Sequence, residues 1–296
     1  MTDTLLVTGA SGQLGRIVIN HLLDTFKVPA ARIIATTRTP ANLADLAARG
    51  VDVREADFDD HASLAKAFKG ADRVLVISTN ELAIQGKRRE QQLAAVAAAK
   101  QAGVAHLLYT SMPNPEPGSP IVFAPDHYET EQAIKTTGIP YTILRNSWYD
   151  ENLFMSLPQT LASGHWYTSA GDGRISYSAR DDMAAAIAGA LASGAKESTT
   201  YTLTGPKAYT VAEVAALVTD VTGKPIQVVQ LSDDALTEGM KAAGLPEPIA
   251  RLLVSFDAAT RVGGLGMVTD SVEKLSGRKS VSLKQFLETN KAKLGG

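Results

Sequence analysis

The sequence predicts an α/β chain built on a doubly wound parallel sheet, and three observations carry that reading. Short apolar runs alternate with helical patterns from residue 4 to residue 145. The first run ends in Gly9, Gly12 and Gly15, each separated by two residues, and an apolar helical stripe follows at once. Strands separated by helices in this way need crossover connections, which make neighbouring strands parallel.

The elements follow in order. Leu5, Leu6 and Val7 centre a strand over 4–8, and Leu14, Ile17, Val18, His21 and Leu22 mark a helix over 13–26. Between them, strand, glycine turn and helix make the opening of a dinucleotide-binding βαβ unit, which narrows the fold class to Rossmann-like. The glycines permit a tight turn, close approach of backbone amides to a pyrophosphate, and close helix–strand packing. The helix N-terminus then turns unpaired N–H groups toward the phosphates. Further strands are expected over 32–37, 51–55, 73–78, 106–111 and 141–145, with helices over 61–69, 86–102 and 126–137. Residues 112–125 carry Pro113, Pro115, Pro117, Pro120 and Pro125, a stiff non-helical loop that reads equally as a substrate lid or an inert connection.

Beyond residue 150 the alternation weakens. Residues 164–178, with Asp172-Gly173 at a turn, predict a hairpin or two short strands. Asp181 or Asp182 is expected to cap an alanine-rich helix over 183–193, and residues 201–204 and 226–230 read as strands. Thr210 and Glu213 form a capping box, and three or four helices follow the last strand. The expected organisation is a dinucleotide-binding domain over 1–150. Residues 151–296 then form a smaller, mostly helical substrate-side lobe, partly interleaved with the main sheet.

Composition excludes several functions. The 296 residues carry a net charge of −2, and the longest basic run is Lys87-Arg88-Arg89, read as the solvated face of a helix, so nucleic-acid binding is not expected. With no cysteine, disulfides and thiolate chemistry are excluded, and the five scattered histidines lack metal-ligand spacing, so no metal is expected. No apolar run is long enough to span a bilayer and no secretory pattern opens the chain, so a cytoplasmic protein is expected. Nothing indicates a coiled coil or a swapped element, and a monomer or homodimer are both compatible with the sequence.

In a doubly wound sheet the ligand lies at the C-terminal strand ends, which directs attention to Gly9–Gly15, Arg38, Asp57, Ser78–Asn80, Ser111 and Asn146–Tyr149. The second strand ends Thr36-Thr37-Arg38 without the acid that reads ribose hydroxyls in NAD sites. Arg38 instead offers a planar cation for a 2′-phosphate, so NADP(H) is the expected cofactor. Asp57 and Phe58 follow the third strand, where they suit adenine through hydrogen bonding and stacking. Asp57, Asp59 and Asp60 equally suit a cap cluster for the next helix.

Several segments together resemble the atypical short-chain dehydrogenases of the NmrA-like group. These are Thr8–Gly15, Arg38, Tyr109-Thr-Ser111, His127-Tyr-Glu-Thr-Glu131 and, most specifically, Gly138–Asn152. Within that group the likeness is to the bacterial type 2 quinone oxidoreductases, then to the triphenylmethane dye reductases. The resemblance implies that Gly9, Ser11, Gly12, Gln13 and Leu14 hold the pyrophosphate and Arg38 the 2′-phosphate. It also implies that Ser78 and Thr79 lie along the ribose and nicotinamide, with Asn146, Trp148 and Tyr149 on the nicotinamide and substrate side. Phe154 is a further candidate wall for a flat acceptor.

Relatives in the wider superfamily use Tyr-x-x-x-Lys as proton donor, and here His127-x-x-x-Glu131 stands in that place. Hydride addition to a ketone makes an alkoxide that needs an acid beside it. Addition to a quinone makes a phenol-like anion, of pKa on the order of 10, that needs little help. The expectation is an NADPH-dependent reductase of quinones or similar electron-poor aromatic acceptors. The alternatives are a non-catalytic NADP(H) sensor that binds a protein partner, and a triphenylmethane dye or imine reductase. His127, Tyr149 and Ser111 are the candidate catalytic residues. His127 reads either as a proton donor or as a surface or capping histidine paired with Glu131. Ser111 reads as catalytic or as merely orienting.

Overall fold

The computed structural model describes residues 2–82 and 84–294. The chain runs β1 (Leu5–Val7), α1 (Gln13–Asn20, prolonged by a π-turn over His21–Thr25), β2 (Ile33–Thr37), α2 (Ala44–Ala48), β3 (Asp52–Glu55) and α3 (His61–Phe68). It continues through β4 (Arg73–Val76), α4 (Lys87–Ala102), β5 (His106–Ser111), α5 (Ala124–Lys135) and β6 (Tyr141–Asn146). After a 3₁₀ turn over Asp150–Met155 come α6 (Leu157–Ser163), β7 (His165–Thr168), α7 (Arg180–Ala192), β8 (Thr199–Leu203) and α8 (Val211–Thr222). The last elements are β9 (Gln227–Gln230), α9 (Asp233–Ala242), α10 (Glu247–Arg261), α11 (Ser271–Ser276) and α12 (Leu283–Thr289).

Seven strands form one sheet in the order β3-β2-β1-β4-β5-β6-β8, and every pairing is parallel. The chain steps outward from β1 in both directions, so the order reverses between β1 and β4, and a crevice opens beyond their C-terminal ends. The two-residue period of the strands explains the layers. Leu5 and Val7 enter one core with helix residues such as Val18, Leu46, Ile187 and Val272, whereas Leu6 enters the opposite core with Leu64, Phe68, Ala95 and Ile134. Strands buried on both faces read as continuous apolar runs, the pattern visible in the sequence. Helix α7 is alanine-rich because it is buried on nearly every side, packed between α1 and α11.

Several expectations change. Residues 164–178 form no hairpin: β7 pairs in parallel with β9, some sixty residues on, from His165↔Gln227 to Thr168↔Gln230. Residues beyond the turn instead make single bridges, Ile175 with Tyr209 and Ser178 with Tyr149. Ala179 is the N-cap of α7, so Asp181 and Asp182 lie inside its first turn, where the helix dipole favours acids. The Thr210–Glu213 capping box is present with both of its hydrogen bonds. A third core of Leu153, Leu157, Tyr177, Val214, Val218, Leu283 and Leu287 gathers residues of the second half of the chain. No helix among the described residues is long and apolar enough to cross a membrane.

Candidate active site

The glycine turn leaves β1 with Gly9 at φ +60°, a conformation that side chains disfavour. A Cβ at Gly15 would lie 2.4 Å from the Gly9 carbonyl oxygen and one at Gly12 3.2 Å from the same atom. Glycine at these positions is therefore what lets α1 start directly against the turn. Gly12 is the N-cap and supplies no side-chain cap, so Gln13 and Leu14 open the helix with unpaired N–H groups. The Ser11 hydroxyl lies 2.9 Å from that of Thr37, tying the turn to the end of β2.

Arg38, one residue past β2, is exposed and has no hydrogen-bond or ion-pair partner among the described residues. It lies near the acidic turn after β3: Asp59 is held below the usual carboxylate range mainly by its hydrogen bond to Lys87, with Arg38 adding a smaller field. In that turn Asp60 does the capping, accepting from Ala62 N and Ser63 N, while the Asp57 carboxylate accepts only from Asp59 N. The capping reading of the cluster thus falls to Asp60. Ser78 is fixed by its N–H to the Thr110 hydroxyl at 2.9 Å, and the buried Thr79 hydroxyl has no partner. Asn146, at the end of β6, donates to the Tyr149 hydroxyl at 3.1 Å, and its buried Oδ1 is likewise unpartnered. A turn kept bare of side chains by its glycines, a free guanidinium beyond β2 and orphaned polar atoms beyond β4 and at the end of β6 are features that fit a bound NADP(H).

Tyr149 carries the Arg180 guanidinium over its ring at 4.8 Å, and burial pushes its phenol above the ordinary value, with the Asn146 hydrogen bond and Arg180 opposing. Trp148 packs edge-on against Phe256 at 4.2 Å, and Phe256 meets Phe123 at 5.7 Å. Phe154 does not join this cluster through ring contact; it stacks on Phe286 of α12. Asp150, directly after Tyr149, is fully buried with neither carboxyl oxygen partnered. Burial, with Glu151 and Asp182 adding to it, pushes Asp150 up to about 8.

The interface of β5 with α5 changes the reading of the expected acid. Tyr109 and Ser111 point to one side of β5, and His127 and Glu131 lie one turn apart on the facing side of α5. Two polar rungs result. In the first, Arg88 donates to His127 Nε2 at 2.7 Å, which makes that nitrogen the acceptor and puts the imidazole proton on Nδ1. Nδ1 then donates to the Tyr109 hydroxyl at 2.8 Å, and Tyr109 donates to Gln92 Oε1 at 2.8 Å. His127 is 3% exposed, and burial together with Arg88 lowers it well below the ordinary histidine value. It is therefore neither a surface histidine nor the partner of Glu131, and its neutral form is the wrong state for donating a proton. In the second rung Glu131, wholly buried, accepts from the Ser111 hydroxyl at 2.7 Å and from Arg145 Nε at 2.9 Å and Nη2 at 2.7 Å. Arg145 also reaches Glu116 at 2.6 Å, fastening the proline-rich loop to the sheet. Sequence reasoning paired Glu131 with His127 and gave Arg145 no role, since only the fold brings Glu131 and Arg145 together. It also put Arg88 on a solvated face, whereas Arg88 is buried.

Known proteins place this geometry. Quinone oxidoreductase 2 of Escherichia coli is 39% identical over 279 residues, 94% of this chain and 96% of that protein. The crystal structure of the E. coli NADPH-dependent quinone oxidoreductase complexed with NADPH superposes with a TM-score of 0.90 at 38% identity, covering 96% of this chain and 99% of that one. The Citrobacter sp. triphenylmethane reductase complexed with NADP(H) gives 0.87 at 36% identity, with coverage of 96% and 99%. The NmrA-like family profile matches residues 1–289, and the chain belongs to the NmrA-like family.

Proposed function

We propose that this protein is an NADPH-dependent reductase that passes hydride to quinones or comparable electron-poor aromatic acceptors. The observation that carries the reading is the β5–α5 interface: the positions of the superfamily's proton donor are spent on buried hydrogen bonds, while the nucleotide cradle is intact. A cleft of this kind suits acceptors whose reduced form is a phenol-like anion, of pKa on the order of 10, or one that needs no proton. The similar proteins named above, a quinone oxidoreductase and a triphenylmethane reductase, are consistent with such acceptors.

The roles divide along the sheet. Gly9, Ser11, Gly12, Gln13 and Leu14 would cradle the pyrophosphate, Arg38 the 2′-phosphate, and Asp57 and Phe58 the adenine. Ser78, Thr79 and Asn146 would face the ribose and nicotinamide, and when bound, NADPH supplies the hydride. Trp148 and Tyr149 offer flat walls that position the acceptor and exclude water. Ser111 orients through Glu131, and His127 holds the interface rather than moving a proton. On this reading residues 1–150 hold the cofactor and 151–296 supply the substrate side, in a cytoplasmic monomer or homodimer.

The test is turnover of NADPH with benzoquinone, naphthoquinone and a triphenylmethane dye, followed at the nicotinamide absorbance. Reduction of at least one quinone is expected. Tight NADPH binding without turnover on any acceptor would favour a sensor and overturn the proposal.

A further inference from the structure

Arg88 is an electrostatic anomaly. Its residue is 7% exposed, yet no carboxylate lies within ion-pair distance among the described residues. Its nearest neighbours are the uncharged His127 Nε2 at 2.7 Å and the face of Phe123, 4.4 Å from the guanidinium carbon. Nε–H is buried without an acceptor. Asp126 contributes a field at Arg88 but makes no ion pair with it. A buried cation without a partner costs several kcal/mol unless something else compensates it. Buried guanidinium N–H groups without an acceptor are rare enough that each needs a reason.

Position supplies the reason. Arg88 stands in the first turn of α4, the helix that follows β4, next to Lys87, which pairs with Asp59 at 2.8 Å. Phe123 precedes α5 at the end of the loop that leaves β5, and it continues through Phe256 into Trp148, just past β6. A cation therefore ends a row of partly buried aromatic rings that reaches Trp148, the wall proposed above for the acceptor. We propose that Arg88, with Phe123, Phe256 and Trp148, forms an acceptor subsite that selects flat aromatic molecules bearing an anionic group such as a sulfonate or carboxylate. The anion accepts from the guanidinium while the ring lies along the aromatic row. The subsite rests on the proposed reductase function for its substrate, but its binding chemistry does not.

Two measurements test it. In calorimetry with protein holding NADP⁺, naphthalene-2-sulfonate should bind about tenfold or more tightly than the uncharged naphthalene-2-sulfonamide, a difference in keeping with a charge-assisted hydrogen bond. Arg88→Met should erase that preference, and Arg88→Lys should keep part of it. In turnover, the ratio of kcat/KM for 1,4-naphthoquinone-2-sulfonate to that for 1,4-naphthoquinone should fall about tenfold or more in Arg88→Met. Equal binding of the two naphthalenes by the unaltered protein, or an unchanged ratio in Arg88→Met, overturns the subsite. The first of these needs no variant to fold. If neither quinone is reduced while the sulfonate preference holds, the reductase reading fails and the anion subsite stands.

Discussion

The turn after β1 and the interface of β5 with α5 are both built from small and polar residues at the ligand edge of one sheet, and they are finished in opposite ways. At the turn, backbone N–H groups and the Arg38 guanidinium are left without protein partners. At the interface, Ser111, Glu131, Tyr109 and His127 are buried, and their side chains are hydrogen-bonded to one another or to Arg88, Gln92 and Arg145. Polar groups left unsatisfied at an open edge can serve a ligand, and groups satisfied in the interior serve the fold.

The largest test of that contrast is Glu131→Gln. It leaves the Arg145 cation only the exposed Glu116 as carboxylate partner, and unpairing a buried ion pair costs up to about 3–5 kcal/mol. Urea unfolding should show that loss, while kcat of the folded enzyme changes far less. A collapse of kcat at unaltered stability would make the second rung catalytic. Gly15→Ala comes next: its Cβ would lie 2.4 Å from the Gly9 oxygen, so helix and turn must part. Thermal unfolding should report about 1–3 kcal/mol, as overpacking does, with NADPH binding lost. Native nucleotide affinity in this variant would show that the close approach is dispensable.

Arg38→Ala should leave the fold intact and weaken NADPH by about tenfold to a hundredfold, the scale of a lost charge-assisted hydrogen bond. NADH should bind as before, and equal losses for both would remove Arg38 from the 2′-phosphate. The smallest effect belongs to His127. Its folded value lies below that of the unfolded chain, so the unfolded state binds the extra proton first as pH falls. The stability difference between the wild type and His127→Gln should therefore decline as pH drops below about 6.5, by up to about 1.4 kcal/mol per unit. The pH profile of quinone turnover should keep its shape in this variant. A lost inflection near neutrality would return His127 to proton transfer.

What was legible in the sequence was what local pattern determines. The apolar runs revealed the main strands because parallel strands are buried on both faces, and the glycine spacing revealed the turn because its steric demand lies within seven residues. The Thr210–Glu213 box is local in the same sense. Pairings made by tertiary folding were hidden: β7 with β9, Glu131 with Arg145, and Arg88 with His127 and Phe123. In α4 the helical pattern is blurred by alanines, and nothing local distinguishes Arg88 from its solvated neighbours. Polar residues in the 127–131 segment suggested chemistry, and nothing local revealed their buried partners.

The ordered row from Arg88 through His127 and Tyr109 to Gln92 also has a consequence in time. Every donor in it points the same way, and the imidazole proton has no path to water while α5 lies on β5. Its exchange with deuterium is therefore limited by the lifting of the helix from the sheet. A slowly exchanging His127 Nδ1–H resonance would serve as a clock for that opening, read from one proton in the middle of the molecule.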